Sequence, residues 1–467
     1  MRERKSVKCF LKTCGLRYSL LLYVNIGIKV DGDEMNVHSP LTIEARAELA
    51  TLADVEGMFL SSQASTCNIS IVQDGVLGTY IMTKRWLKMP KDTFQQMINH
   101  LYTFSFERYN AKLEHIKRVY NELDYPLEEY LYTGKTVFSF MLPDDFNYHK
   151  KNGADMSEPI VKIKNGVLLE GTINKAQLSG GHYSIMHLLA KEYSVQTAMD
   201  FVNDVQFVAN AFLLWFGFST GLNDCLVRHK PEDLEKIIIK GYLEAEENEK
   251  NIKNRDIREA QISNVLTKTK NIGMNVAKKI IVEQGDVLES CPNSNNFVHL
   301  VTSGSKGSYF NIAQITTLLG QQSMAGGRIE PQLASDRTLI HYPFGKLDNE
   351  KKYESRGFVR HSFIHGLNPQ EFFMHAIVGR IGVIDTALKT SSSGYTQRKC
   401  IKVCEDIVVK YDSTVRDINN RIIQFSYGDA DLDGQKTIMV DDEMQFINVD
   451  RLAERMNSQH EVKHHIL

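Results

Sequence analysis

Cysteine is scarce and scattered. The 467-residue chain carries seven, at positions 9, 14, 67, 225, 291, 400 and 404. Their spacing suggests no paired framework, so reduced thiols in an intracellular protein are expected, not a disulfide-stapled secreted domain. Cys400 and Cys404 share a helix face, but no second pair completes a four-ligand zinc site. Net charge of one sign is also missing: the formal balance is −2. Any nucleic-acid contact must therefore come from local basic patches and not from a global field. No internal repeat, low-complexity tract or disorder-prone composition is present, and the length suits about two to four domains. No apolar run is long enough to span a bilayer, so no membrane partner is expected. The opening MRERKSVKCFLKTCGLRYSLLLYVNIGI, residues 1–28, has a basic start and a short apolar run like a signal peptide. It lacks a small-residue cleavage site and runs into an acidic turn, so a buried strand or an unrelated leader is the better reading. A nucleotide P-loop is absent too: TSGSKGSYFNIAQ, residues 302–314, holds Gly-Ser-Lys-Gly-Ser without the required spacing.

What is present starts with GIKVDGDEMNVHSP, residues 27–40, which packs Asp31, Asp33 and Glu34 into four positions. Carboxylates so close repel one another unless a cation sits between them. Beyond this turn, LTIEARAELATLADV has helical spacing, with Ser39 and Pro40 as a start signal. NISIVQDGVLGTYIMT breaks at Asp74–Gly75, a turn or helix start, and PKDTFQQMINHLYTF reads as an amphipathic helix. From about Tyr130 to Gly181 the pattern reads as strand: KTVFSFMLP, then PIVKIKNGVLLEGTI with a hairpin turn at Asn165–Gly166. A helical block follows, apolar on most faces around Phe207–Phe218, and is expected to be a buried helix ending at Gly217. From Lys230 to about Gln284 the chain is highly charged and helix-prone, which predicts a solvated helical pair. DADLDGQKTIMV, residues 429–440, opens like a calcium loop but has Val440 where a bidentate glutamate belongs, so no calcium site is expected.

The segment Leu367–Tyr411 carries the most information after the acidic turn. Asn368 can cap, Pro369 suits the first turn, and Glu371 can reach back as in a capping box. Phe372, Ile377, Ile381, Ile384 and Leu388 keep a mostly helical spacing. Pro369 to Lys399 would run roughly 45 Å, enough to cross a groove holding a nucleic-acid duplex. Yet the segment contains Gly379, Gly382, Gly394 and a Thr-Ser-Ser-Ser run, and each glycine costs about 1 kcal/mol against alanine. Such clusters are where helices kink or let another backbone or a base pair come close. Arg356, Arg360, Arg380, Lys389, Arg398, Lys399 and Lys402 outweigh Glu371 and Asp385, which favours a phosphate backbone as partner over an ordinary solvated helix.

Together these pieces resemble the central part of the largest subunit of multisubunit DNA-directed RNA polymerases, in its eukaryotic and large-DNA-virus form. DGDEMNVHSP resembles the second half of that family's Asn-Ala-Asp-Phe-Asp-Gly-Asp loop. EARAEL, IVQDGVLG, NGVLLEG, GFSTGLND, GSKGSYFNIAQITTLLGQQSMAGGRI, RGFVRHSFIHGLNPQEFFMHAIVGRIGVIDTALKTSSSGYTQR and VKYDSTVRD follow in the family's order, from Val30 to about Gly434. The resemblance implies a multidomain α+β fold of mixed helices and small sheets, with a long bridge helix and a helical funnel. It divides the chain into a leader (1–28), the end of the active-site domain with its metal loop (29–83), a pore domain (84–198), a funnel (199–350), and the bridge helix with the start of the cleft (351–467). It implies Mg²⁺-dependent, DNA-templated nucleotidyl transfer within an assembled enzyme. Asp31 and Asp33 would be the metal ligands, and Arg380, Lys389, Thr390, Gly394, Tyr395 and Arg398 the bridge-helix positions facing nucleic acid or the active centre. The implied partners are the second-largest polymerase subunit, the other subunits, template DNA, the RNA transcript and nucleoside triphosphates. The implied location is the nucleus of a cell, or the virion or cytoplasmic factory of a virus.

One departure stands out: Lys29 occupies the first aspartate's position, after Gly27-Ile28 in place of Asn-Ala. An ammonium there replaces a Mg²⁺ ligand with a competing cation. By the resemblance, the chain starts part-way through the subunit, at a break inside the loop, and stops before the trigger loop. Two rival readings remain open. One is a non-catalytic nucleic-acid-binding or assembly fragment whose Lys29 abolishes metal binding. The other is an unrelated Mg²⁺-dependent phosphohydrolase, which leaves the long basic helix without a task.

Overall fold

The computed structural model describes residues 40–52, 57–61, 64–151, 158–226, 231–286, 295–324, 326–345, 347–428, 434–435, 437–440, 443–446 and 448–464. Asp31, Asp33 and Lys29 fall outside them, as does half of the calcium-like stretch 429–440. The architecture is α+β, helices with several small antiparallel sheets, divided into two units. The first comprises residues 1–218, 302–306 and 426–467; the second comprises 219–301 and 307–425. The chain leaves the first unit after residue 218, touches it again at 302–306, and returns to it at 426.

The first unit is organised around Asp74–Met82, a helix whose residues from Gly75 onward are all buried. A helix this apolar has no solvent face, and it packs on the long amphipathic helix Val195–Phe216. That second helix ends at Gly217, φ 74°, where a left-handed residue terminates the turn without steric cost. It is buried on one face only: Leu214 and Trp215 are exposed, contrary to the expected fully buried helix. Three antiparallel strands, β1 (Tyr148–Lys151), β2 (Ile160–Lys164) and β3 (Val167–Glu170), lie in that order. In β2 the residues Val161 and Ile163 point inward while Ile160, Lys162 and Lys164 face out, the alternation read in the sequence. Asn165 and Gly166, with φ of 48° and 70°, form the hairpin turn between β2 and β3.

KTVFSFMLP is not a strand. Gly134–Ser139 is a short helix, buried throughout. Thr133 caps it, accepting from the Thr136 N–H, and Thr136 Oγ1 donates to the Tyr130 carbonyl at 2.7 Å. An all-buried helix shows no polar face, so its Val and Phe content mimics strand propensity. Two inward lysines stiffen this unit. Lys112 donates to the Leu142 carbonyl at 2.7 Å and to Asp144 at 2.5 Å, and Lys135 pairs with Glu158 at 2.5 Å. Burial lowers the Lys112 pKa while Asp144 opposes the shift.

In the second unit the predicted helical pair is present as Pro231–Asn251 and Arg255–Asp286. It is not merely solvated. Leu234, Ile238, Tyr242 and Ala245 face Ile262, Val265 and Leu266, and Leu318, Tyr353 and Phe358 close the cluster. The Tyr242 and Tyr353 rings stack at 5.0 Å. Gly241 sits where the helices are closest: an added Cβ would stand 2.2 Å from Thr269 Oγ1. Short strand pairs, Gly320–Gln321 with Phe358–Val359 and Ser323–Met324 with Gly327–Arg328, join this pair to the segment that launches the long helix Pro369–Cys404. Glu259 ties them together, accepting from Arg328 Nη2 at 2.7 Å and from Arg356 Nη2 at 3.4 Å. Among the described residues, no helix is long and apolar enough to cross a membrane.

Candidate nucleic-acid interface

The long helix runs for 36 residues without interruption, about 54 Å at 1.5 Å per residue. It begins as its sequence predicts. Pro369 occupies the first turn, and the Glu371 carboxylate reaches back to accept the Asn368 N–H at 3.0 Å. Glu371 does more than cap. It is buried, and it also accepts the Arg360 N–H at 3.0 Å and the His361 Nδ1–H at 2.8 Å. One carboxylate thereby satisfies donors from the strand end, the loop and the helix start, as a buried charge must. Its charge, after burial, also raises the pKa of Glu354. One turn further, Met374 packs with Ile329 and Tyr342, and His375 donates through Nδ1 to the Gln322 side-chain oxygen at 3.1 Å.

Then the packing stops. From Gly382 to Cys404 every residue is exposed. Val383, Leu388, Tyr395, Ile401 and Val403 are each more than half exposed. Gly379, Gly382 and Gly394 have no atom within 4 Å of where a Cβ would stand. The helix is continuous through these glycines and through Thr390–Gly394. In proteins most helical stability comes from packing and not from propensity, and this unpacked stretch is rich in poor helix formers. It is a surface that needs a neighbour.

The structure sorts the residues singled out on this helix. At about 100° per residue, Arg380, Gly394, Tyr395 and Arg398 fall within an arc of about 100°. Ala387 and Ser391 lie on the same arc, so small side chains separate two arginines about 27 Å apart along the axis. Thr390 lies just outside that arc, and Lys389 is on the opposite side, ion-paired with Asp385. Among the described residues Arg380 and Arg398 have no carboxylate partner, whereas Lys402 pairs with Glu405 at 2.6 Å and Lys399 sits over the Tyr395 ring at 4.2 Å. Six positions thus resolve into four that share a face and two that do not. Sequence reasoning missed the anchor: Arg360, His361, Gln322, Met374 and His375 gave no signal beyond the capping pattern at Glu371. No group of three His, Cys, Asp or Glu among the described residues could hold a metal ion. Cys400 and Cys404 are exposed free thiols.

Residues 58–225 match RNA polymerase Rpb1, domain 3. Residues 245–359 match RNA polymerase Rpb1, domain 4, and 366–449, which hold the long helix, match RNA polymerase Rpb1, domain 5. A probable DNA-directed RNA polymerase II subunit RPB1 homolog of Invertebrate iridescent virus 6 is 35% identical over 445 residues, covering 91% of this chain and 42% of that protein. DNA-directed RNA polymerase II subunit RPB1-B of Trypanosoma brucei brucei is 34% identical over 426 residues, 87% of this chain and 22% of its own length. DNA-directed RNA polymerase III subunit RPC1 of Saccharomyces cerevisiae is 32% identical over 439 residues, 86% of this chain and 28% of its own length. The chain spans less than half the length of these curated relatives.

Proposed function

The chain belongs to the family of RNA polymerase largest subunits, matching its Rpb1 domains 3, 4 and 5 in order, and from that premise we propose that it contributes to DNA-templated RNA synthesis within an assembled polymerase. In this reading Pro369–Cys404 is the bridge helix, spanning a cleft between this chain and the second-largest subunit. The paired helices belong to a funnel (199–350), the sheet-bearing region to a pore domain (84–198), and residues 351–467 to the bridge helix and the start of the cleft. The observation that carries the reading is the cationic 36-residue helix, bare from Gly382 onward, inside the matched domain 5.

The residues suggest a division of labour. Arg380 and Arg398 would meet phosphates on either side of Ala387, Ser391 and Gly394, whose small side chains let a base pair approach the backbone. Tyr395 would offer a ring face on the same arc. Asp31 and Asp33, oxygen donors flanking a glycine, suit a hard divalent cation, while the Lys29 ammonium does not. Mg²⁺ held there would supply acidification of the RNA 3′ hydroxyl and neutralisation of the departing pyrophosphate. Glu371 is a positioning residue in this reading, fixing the direction in which the helix leaves its unit.

The test is to recover the tagged chain from its native source. The expected result is co-purification with a second large polymerase subunit and Mg²⁺-dependent RNA synthesis on a DNA template, reduced at least a hundredfold by Asp33→Ala. Recovery without any polymerase subunit would overturn the functional reading. Undiminished synthesis by both Asp31→Ala and Asp33→Ala would overturn the metal assignment alone.

A further inference from the structure

Cys400 and Cys404 stand one turn apart at the end of Pro369–Cys404, both exposed and both free thiols. The reading of this helix as a nucleic-acid surface gives them no task. At about 100° per residue the pair lies about 150° round the helix from the middle of the arc shared by Arg380, Gly394, Tyr395 and Arg398. The two faces therefore look in nearly opposite directions. The helix positions three and four residues from the thiols, Thr396, Gln397, Ile401 and Val403, carry no charge. The nearby ammonium groups are engaged elsewhere, Lys399 over the Tyr395 ring and Lys402 on Glu405.

Spacing decides what such a pair can do. Side chains four residues apart on a helix have Cβ atoms about 5–6 Å apart. A disulfide needs Cβ atoms about 3.5–4.5 Å apart and sulfurs at about 2.05 Å, so it could not close without unwinding the last turn. Two metal–thiolate bonds of about 2.3 Å in line place the sulfurs about 4.6 Å apart, which the helical separation accommodates. The geometry rejects a direct bond and accepts a bridging ion.

The donors then select the ion. Hard cations such as Mg²⁺ and Ca²⁺ want oxygen ligands. Zinc wants four ligands in a closed site, and among the described residues no group of three His, Cys, Asp or Glu could hold a metal. Two thiolates alone satisfy a soft, closed-shell cation content with two ligands in line, which is the chemistry of Cu(I). The C-terminal end of a helix is also the negative pole of its dipole, which favours an arriving cation.

We propose that Cys400 and Cys404 form a two-coordinate site for a soft monovalent cation, Cu(I). The bound ion clips adjacent turns together where the helix has no packing to hold it, on the side away from the arginine arc.

Competition for Cu(I) between the full chain and bicinchoninate, under ascorbate and without oxygen, tests the site. The wild-type chain should take up one equivalent more than the Cys400→Ser/Cys404→Ser double variant, whose uptake measures the other five cysteines. Either single variant should hold that equivalent at least a hundredfold more weakly, because the chelate is lost. Zn(II) should displace it only when at least a hundredfold in excess. Amide hydrogen exchange at 396–404 should slow on Cu(I) addition in the wild-type chain and stay unchanged in Cys404→Ser. Equal uptake by the wild-type chain and the double variant, or a single variant that binds as tightly as wild type, overturns the proposal.

Discussion

The two ends of the long helix are built on opposite principles. Over its first ten residues the helix is specified from within: a buried carboxylate with three donors, a methionine in a small core, and a histidine bonded to Gln322. Over its last 23 residues, Gly382 to Cys404, every residue is exposed. A helix cannot be held by propensity alone when its sequence includes two glycines and three consecutive serines in that stretch. The anchored end therefore sets direction, and the bare end presents a surface whose stability a partner must supply. Exposed Val383, Leu388 and Val403 are the cost of that arrangement in the free chain.

Removing the anchor should break the contrast most. Glu371→Ala strands three donors in a buried site, and a destabilisation of about 4 kcal/mol is expected. Denaturant unfolding measures it, and hydrogen exchange should show loss of protection concentrated at 369–378. If protection there is unchanged, the anchor lies elsewhere.

A second measurement separates the helix from the first unit, where His187 sits. Its folded-state pKa, about 4, is below the usual 6.5. Between those values the unfolded chain binds more protons, so stability rises with pH: the contribution is complete above about pH 6.5 and is lost as pH falls toward 4. Going from pH 7 to pH 5 should cost the first unit about 2 kcal/mol through this group. His187→Gln, which keeps a donor for the Ser65 carbonyl, should flatten that slope. Exchange at 369–378 should not follow it.

The smallest effect sharpens the comparison from the other end. Gly382→Ala and Gly394→Ala meet open space, and each should stabilise the bare stretch by about 1 kcal/mol. Far-UV circular dichroism of the free chain would register the added helicity. The same changes should impair RNA synthesis in the assembled enzyme if close backbone approach is what those glycines provide.

How much of this was legible depended on whether a residue's role was local. The Asn165–Gly166 hairpin was readable because alternation on β2 and a left-handed turn are both properties of adjacent residues. The cap at Asn368–Glu371 was readable for the same reason. Gly134–Ser139 was not: a helix buried on every face erases the polar stripe that would identify it. The helical pair was recognised by its charge, but its inner face was not, because Tyr353 and Phe358, far along the chain, complete that cluster. Glu371 was seen as a cap and missed as a hub, since Arg360 and His361 reach it only through the fold. At the candidate interface, the sequence singled out six positions on this helix, of which Arg380, Gly394, Tyr395 and Arg398 share one face. It could not tell that Lys389 would turn away to Asp385.

The route of the chain has a consequence for its synthesis. The first unit draws on residues up to 218, on the short piece 302–306, and again on residues from 426 onward. A ribosome adding about 5–20 residues per second needs roughly 10–40 seconds to make the intervening stretch. During that interval the helix Ile185–Glu192 waits without its C-terminal cover, its Leu188 side open to chaperones or to neighbouring nascent chains. The second unit, whose segments are all contained between 219 and 425, can close first.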